Sequence, residues 1–137
     1  MTYLDVSQKA GARYFSPPGS GSVVMLNLLR FRDTAVFPEG KEPDEPMTGR
    51  EAYRKYIKHT SPIIEAAGGE VLFSGRADHF LIGPEAETWD LVLLVRHLSK
   101  EVFLQFAQDE EYLKTAYYRN AALADSRLLP MTPGRSF

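Results

Sequence analysis

Ser22-Val-Val-Met-Leu-Asn-Leu-Leu-Arg-Phe31 is an apolar run of strand length interrupted by one amide side chain, and its reading decides the fold. In a strand, successive side chains alternate faces. Val24, Leu26 and Leu28 therefore point one way while Val23, Met25, Asn27, Leu29 and Phe31 point the other. Both faces are apolar. A strand that shows water neither face is central in its sheet and covered twice, by helices on one side and by another apolar surface on the other. Asn27 is expected in the middle of that second face.

Working outward, Trp89 to Leu98 is a second such run, with Trp89, Leu91, Leu93 and Val95 opposed to Val92 and Leu94, so it belongs beside the first. Between them Thr48-Gly49-Arg50-Glu51 is a capping box, in which hydroxyl and carboxylate each take a free amide at the start of a helix. That helix carries Ala52, Tyr53, Tyr56, Ile57, Ile63, Ile64 and Ala67 in one stripe, Arg50, Arg54, Lys58 and Glu65 opposite, and His59 on the border. Pro62 is expected to kink it near Ser61, and Gly68-Gly69 to stop it. Glu70 to Ser74 alternates as a strand, expected to resume through Phe80 to Ile82.

Ser99 caps a helix with Val102, Phe103, Phe106 and Ala107 inward, and Asp109 opens another through about Ala124 that turns Tyr112, Tyr117 and Asn120 inward. Arg127 to Met131 is a last strand, at a sheet edge because Pro130 lacks an amide hydrogen. Near the start, Asp5 and Gln8 read as a helix opening, with Val6, Ala10, Tyr14 and Phe15 inward and a stop at Ser16-Pro17-Pro18-Gly19-Ser20-Gly21. Arg32 to Met47 holds Pro38, Pro43 and Pro46 among Glu39, Glu42, Asp44 and Glu45, the pattern of a long, exposed and mobile loop.

The order is strand, helix, strand, strand, helix pair, strand: the βαββαβ pattern of the ferredoxin-like α+β class with an extra N-terminal helix. Residues 1–21 form the leading helix and linker, 22–131 the domain, and 132–137 a tail. The fold has helices on only one sheet face. The face of Val23, Met25, Leu29 and Phe31 is then expected to meet the same face of a second copy, giving a homodimer whose two sheets close as a dimeric α/β barrel.

Composition narrows the partners. With 137 residues, 44% hydrophobic and 25% charged, the chain has material for one packed domain. The net charge of −2, from 16 basic and 18 acidic residues, offers no basic field for a nucleic acid. The absence of cysteine excludes disulfides, thiolate metal sites and a cysteine nucleophile, and makes a cytoplasmic location the expectation. The longest aliphatic run, Leu91 to Val95, is too short to span a membrane. His59, His79 and His97 are scattered without metal-ligand spacing, so neither a metal nor a cofactor is expected.

The set Val24 to Phe31, Tyr53 and Tyr56, Gly68-Gly69-Glu70-Val71, Trp89-Asp90, Val95-Arg96, Glu111-Tyr112, and Arg119 with Ala122 to Leu128 resembles the bacterial family called domain of unknown function 1330. The resemblance covers roughly 22–131. It implies a dimeric α/β barrel, in a superfamily that also holds cofactor-free antibiotic-biosynthesis monooxygenases, muconolactone isomerases and haem-degrading oxygenases, and it implies no established reaction. Likeness to the haem-degrading members would need a histidine in 99–125, and none occurs there.

Asn27 is the sharpest candidate for a site, because a buried amide without a partner costs about 1 to 3 kcal/mol. Tyr56 and His59 are the candidate proton carriers beside it, against the plainer roles of core ring and helix-border residue. Tyr53, Arg96 and Arg119 are candidate substrate contacts; Asp90 with Arg96 and Arg119 with Asp125 read first as structural ion pairs. Two classes of function stand: a cofactor-independent enzyme, monooxygenase- or isomerase-like, acting on a small organic molecule, or a homodimer that binds one without chemistry or is merely structural. Convergence of three or more candidates on one open pocket favours the first.

Overall fold

The computed structural model describes residues 2–17 and 19–134, so Pro18 of the expected linker and residues 135–137 of the expected tail lie outside the described residues. Strand β1 (Val23–Phe31) lies inside a four-stranded antiparallel sheet of order β2-β3-β1-β4, with β2 Glu70–Arg76, β3 Leu91–His97 and β4 Leu123–Met131. The two strands apolar on both faces are the central pair, as the ferredoxin-like pattern requires. The Asp90 amide donates to the Leu29 carbonyl, which turns the odd-numbered peptide groups of β1 toward β3. Pro130, opposite Met25 on β4, therefore has its nitrogen facing away from β1, where no amide hydrogen is needed.

Helix α2 (Gly49–Ala66) opens on the capping box: Thr48 Oγ1 accepts from the Glu51 amide at 3.0 Å and Glu51 Oε1 accepts from the Thr48 amide at 3.4 Å. Its first residue must be glycine. The Gly49 amide donates to the Arg32 carbonyl at 3.0 Å, and a Cβ there would collide with the carbonyls of Arg32 and Ala122, where β1 and the last helix meet. Pro62 sits inside the helix without ending it, and Gly68 at φ 85° closes it in the left-handed conformation. Helices α3 (Lys100–Ala107), α4 (Glu110–Thr115) and α5 (Tyr117–Ala122) follow β3, the first two capped by Ser99 and Asp109.

The structure reverses one expectation about β1. Met25 and Leu29, with Leu93 and Val95 of β3, pack beneath the helices against Ala52, Tyr53, Tyr56 and Ile64, so the face bearing Asn27 is the helix side. The face open to solvent carries Val24, Leu26 and Leu28, with Val92 and Leu94 beside them and Phe73 and Leu129 exposed on the outer strands. Since both faces of β1 are apolar, alternation identifies two surfaces without saying which the helices take.

Other elements differ locally. Helix α1 (Gln8–Phe15) is capped by Ser7 Oγ, which accepts from the Ala10 amide at 3.1 Å, because the Asp5 carboxylate is occupied by Asn120 Nδ2. Val6 is consequently exposed rather than inward, and Asn120 is on the surface. The strand expected at Phe80 to Ile82 is a loop whose Leu81 and Ile82 are fully exposed; β2 instead runs on through Gly75 to Arg76, with a bulge between Val71 and Phe73. The expected helix from Asp109 to Ala124 is two helices broken at Ala116, and β4 begins at Leu123, four residues before the expected start at Arg127. In the loop 32–47 the amides of Ala35 and Val36 bond the carbonyls of Met47 and Ala121, both at 2.9 Å, and Phe37 packs on Tyr117 and Tyr118. Among the described residues, no helix is long and apolar enough to cross a membrane.

Candidate functional site

A cavity of about 1600 Å³ lies between the helix side of the sheet and the N-terminal segment, walled by α2 and the α3–α5 series. It exists because α1 spans the structure without burying a side chain of its own. The strap is tied at both ends. At one end Ser126 Oγ donates to the Tyr3 carbonyl at 2.6 Å, Arg119 Nη1 to the Leu4 carbonyl at 2.5 Å, and Asn120 Nδ2 to Asp5 at 3.1 Å. At the other, Lys100 Nζ donates to the Tyr14 carbonyl at 2.9 Å and Phe15 stacks on Phe103 at 6.2 Å. The strand register gives the cavity its length. Ser126 stands opposite Leu29 and His97 opposite Val23, six positions apart on β1, a span of about 20 Å.

Four of the sequence candidates line this space: Asn27, Tyr53, Tyr56 and Arg119. Asn27 is half-buried, and its one side-chain bond is Nδ2 to the Met25 carbonyl at 3.3 Å, so its Oδ1 is uncommitted among the described residues. Tyr53 is buried against Phe31 and Tyr56, with no hydrogen bond to its hydroxyl among the described residues. The Tyr56 hydroxyl is 2.9 Å from that of Tyr112. Burial raises both the Tyr53 and Tyr56 phenols above their ordinary value, an effect the Arg119 charge opposes in each. At neutral pH these groups are hydrogen-bond donors, not bases.

His59 and Arg96 are not part of the cavity. The His59 Nε2 lies 3.1 Å from the Glu111 carbonyl on the outer side of α2, since position 59 falls at the edge of the stripe and turns toward α4. Arg96 is on the open sheet face, paired with Glu70 at 3.0 Å, because even positions of β3 face away from the helices. The ion pairs are also different ones. Asp90 Oδ2 accepts from the Phe31 amide at 2.8 Å rather than from Arg96. Asp125 lies 2.8 Å from Arg127 and 3.6 Å from Arg30, rather than against Arg119. Burial pushes the Asp125 carboxyl up, but the Tyr3 and Ser126 amides and the Arg127 guanidinium outweigh it and hold the group below the usual range.

Sequence reasoning missed three lining residues. Thr60 Oγ1 is buried with no partner among the described residues, at a position one turn from Tyr56 and one from Ile64, so a polar residue within the apolar stripe was a readable signal. His97 is the next inward position of β3 after Val95; it packs between Phe103 and Phe106, neither ring nitrogen has a hydrogen-bond partner among the described residues, and burial lowers its pKa to about 4. Ser126 lies inward because Leu29 does, which only the β1–β4 register reveals. Among the described residues no group of three or more His, Asp or Glu side chains is placed to hold a metal ion.

The family model described as Domain of unknown function (DUF1330) matches residues 45–130. The RPA0582 protein of Rhodopseudomonas palustris, described as of unknown function, is 33% identical over 98% of this chain and 99% of its own, with a TM-score of 0.87. A structure of the methylated RPA0582 protein is 32% identical over 98% of this chain and 97% of its own, with a TM-score of 0.89. A dabb family protein with a ferredoxin-like fold from Mesorhizobium loti is 9% identical over 85% of this chain and 100% of its own, at a TM-score of 0.51, a likeness of fold alone. No curated protein matches the chain.

Proposed function

The chain belongs to the family called domain of unknown function 1330, and from that premise we propose that it is a homodimer that binds a small organic molecule in the helix-side cavity. One observation carries this reading: Asn27, Tyr53, Thr60 and His97 all line a single apolar space with hydrogen-bonding capacity that no group among the described residues takes up. Uncommitted polar groups on an apolar wall lower the cost of receiving a ligand that bonds them, whereas in a core that served only packing each would be a standing penalty of about 1 to 3 kcal/mol. Asn27 orients the ligand, with Tyr53 donating beside it.

A neutral apolar dye, N-phenyl-1-naphthylamine, tests the site. Its fluorescence should rise on binding to the native protein and should not rise with Leu93→Trp, which fills the cavity floor. Unchanged emission with the native protein overturns the reading.

The dimer rests on the open sheet face. Val24, Leu26, Leu28, Val92 and Leu94 with Phe73 and Leu129 make a contiguous apolar surface that a second copy would cover, closing the two sheets as a barrel. Light scattering should give twice the chain mass of 15.4 kDa, and Leu94→Glu should halve it; a stable native monomer at micromolar concentration removes the barrel.

A catalytic form of this reading draws on His97. A neutral imidazole that lines the cavity, with neither ring nitrogen bonded among the described residues, is a group that can take up and return a proton in an isomerase-like reaction without a cofactor. Tyr53 and Tyr56, held protonated by burial, supply the complementary donors. Solvent deuterium entering a bound ligand in the native protein, and not in His97→Phe, is the expected sign.

A further inference from the structure

Resting on the cavity as a ligand site, we propose that its ligand is an aromatic monocarboxylic acid whose carboxylate is held by Arg119. Among the described residues, Asp5, Arg13, Arg119 and Arg127 are the charged side chains that line the cavity. Arg127 is committed to Asp125 at 2.8 Å. Asp5 is held by Asn120 Nδ2 at 3.1 and 3.3 Å, and Arg13 sits on the exposed surface of α1. Arg119 differs from these. Its Nη1 donates to the Leu4 carbonyl at 2.5 Å and to Asn120 Oδ1 at 3.3 Å, and its Nη2 to Ser126 Oγ at 3.3 Å. All three acceptors are neutral, and among the described residues no carboxylate lies within ion-pair distance.

Neutral oxygens fix the guanidinium in place and leave it without a carboxylate in direct contact among the described residues. They also leave its Nε–H and one Nη2–H without a partner among the described residues, donors through which a guanidinium can receive a carboxylate. Arg119 lines the cavity together with Tyr53 and Tyr56, and its charge opposes the upward shift that burial gives both phenols. An anion bound here would lie beside phenols that remain protonated and able to donate to it.

The remaining walls select the body of the molecule. Tyr53, Tyr56, Phe103, Phe106 and Tyr112 give the cavity a lining of ring faces and edges, in mutual contact at 4.5 to 6.3 Å between centroids, which suits a further aromatic ring. The far end, about 20 Å from Ser126 by the strand register, presents His97 and Thr60; of the cations near it, Lys100 is committed to the Tyr14 carbonyl at 2.9 Å and Arg13 is on the exposed surface of α1. With His97 neutral, a second carboxylate there would be buried without a counter-charge, so the acid is a monoacid.

The test compares 4-phenylbutyrate with 4-phenylbutyramide, a pair of nearly equal shape that differs in charge, as competitors of N-phenyl-1-naphthylamine at low ionic strength. In the native protein the acid should compete at least tenfold more tightly than the amide. Arg119→Met should bring the acid down to the level of the amide and leave the amide unchanged, and Arg119→Lys should restore part of the difference. The native comparison needs no variant, so it stands even if loss of the Leu4 and Ser126 bonds loosens the fold. Equal competition by acid and amide, or no competition by either while the dye binds, overturns the carboxylate assignment and leaves the cavity intact. Failure of the dye itself to bind removes the cavity reading and this inference with it.

Discussion

Replacing Asn27 by leucine separates a ligand-facing amide from a bonded core amide without any substrate in hand. The Asn27 side chain makes one bond, to the carbonyl two residues back, at 3.3 Å. That length is at the long end of the range, so the bond contributes no more than about 0.5 to 1 kcal/mol. Losing it strands nothing. The Met25 carbonyl points toward β3, where Val95 is its ladder partner, and the ladder remains. Against the loss stands the removal of a half-buried amide from an apolar wall, a gain of about the same size. The two terms offset, and Asn27→Leu should change stability by less than about 1 kcal/mol, or roughly 4 °C in melting temperature for a domain of this length. Leu29→Ala, two residues along at a fully buried position of the same face, is the comparator, and it should cost about 2 to 5 kcal/mol. Urea unfolding of the two variants beside the native protein measures both. A loss above about 3 kcal/mol in Asn27→Leu, comparable to Leu29→Ala, would refute the reasoning, because it would mean that the amide holds the core together.

Thr60→Val should raise stability by about 1 kcal/mol in urea unfolding, since it removes a buried hydroxyl without a partner at nearly constant shape; a loss of that size would show a bonded hydroxyl. His97 is held neutral in the fold by burial while the unfolded chain takes up a proton at its ordinary pKa of 6.5, so stability should fall as pH drops from 6.5 toward about 4. His97→Phe should flatten the melting temperature across that window, and an unchanged slope would count against the buried imidazole. Asp125 acts below it: its depressed carboxyl contributes stability that is lost only as pH falls beneath the ordinary carboxylate value of 3.8. In the loop 32–47, amide exchange should be slow at Ala35 and Val36, which bond Met47 and Ala121, and fast from Glu42 to Glu45; uniform fast exchange would show that the Phe37 anchor does not hold.

The expectation of a mobile loop treated 32–47 as a unit, and the structure divides it. Prolines and acids between Phe37 and Met47 do leave that stretch exposed, with Pro43 half-covered, but Phe37 was an apolar residue that needed a partner and found the Tyr117 and Tyr118 rings. The N-terminal helix shows the same limit. Asp5 and Gln8 fit a capping pattern, and Ser7 fits one equally well; the choice fell to Ser7 because Asn120, far along the chain, claims the Asp5 carboxylate.

Sequence alone determined the order of the four strands and which two are central. Alternation, caps and glycine stops are local signals, and the two runs apolar on both faces could only be the central strands. It also named Asn27, Tyr53, Tyr56 and Arg119 as candidates, and the structure brings these four, without His59 and Arg96, to one cavity. The tertiary structure decided which face the helices cover, because period-two alternation on a doubly apolar strand defines two faces and assigns neither. It decided, too, that Arg96 turns outward to Glu70 while His97, one position on, turns inward to Phe103 and Phe106. And it gathered Thr60, His97 and Ser126 around one cavity, since groups from a helix and two strands meet only through register and packing, which act over separations that no local pattern spans.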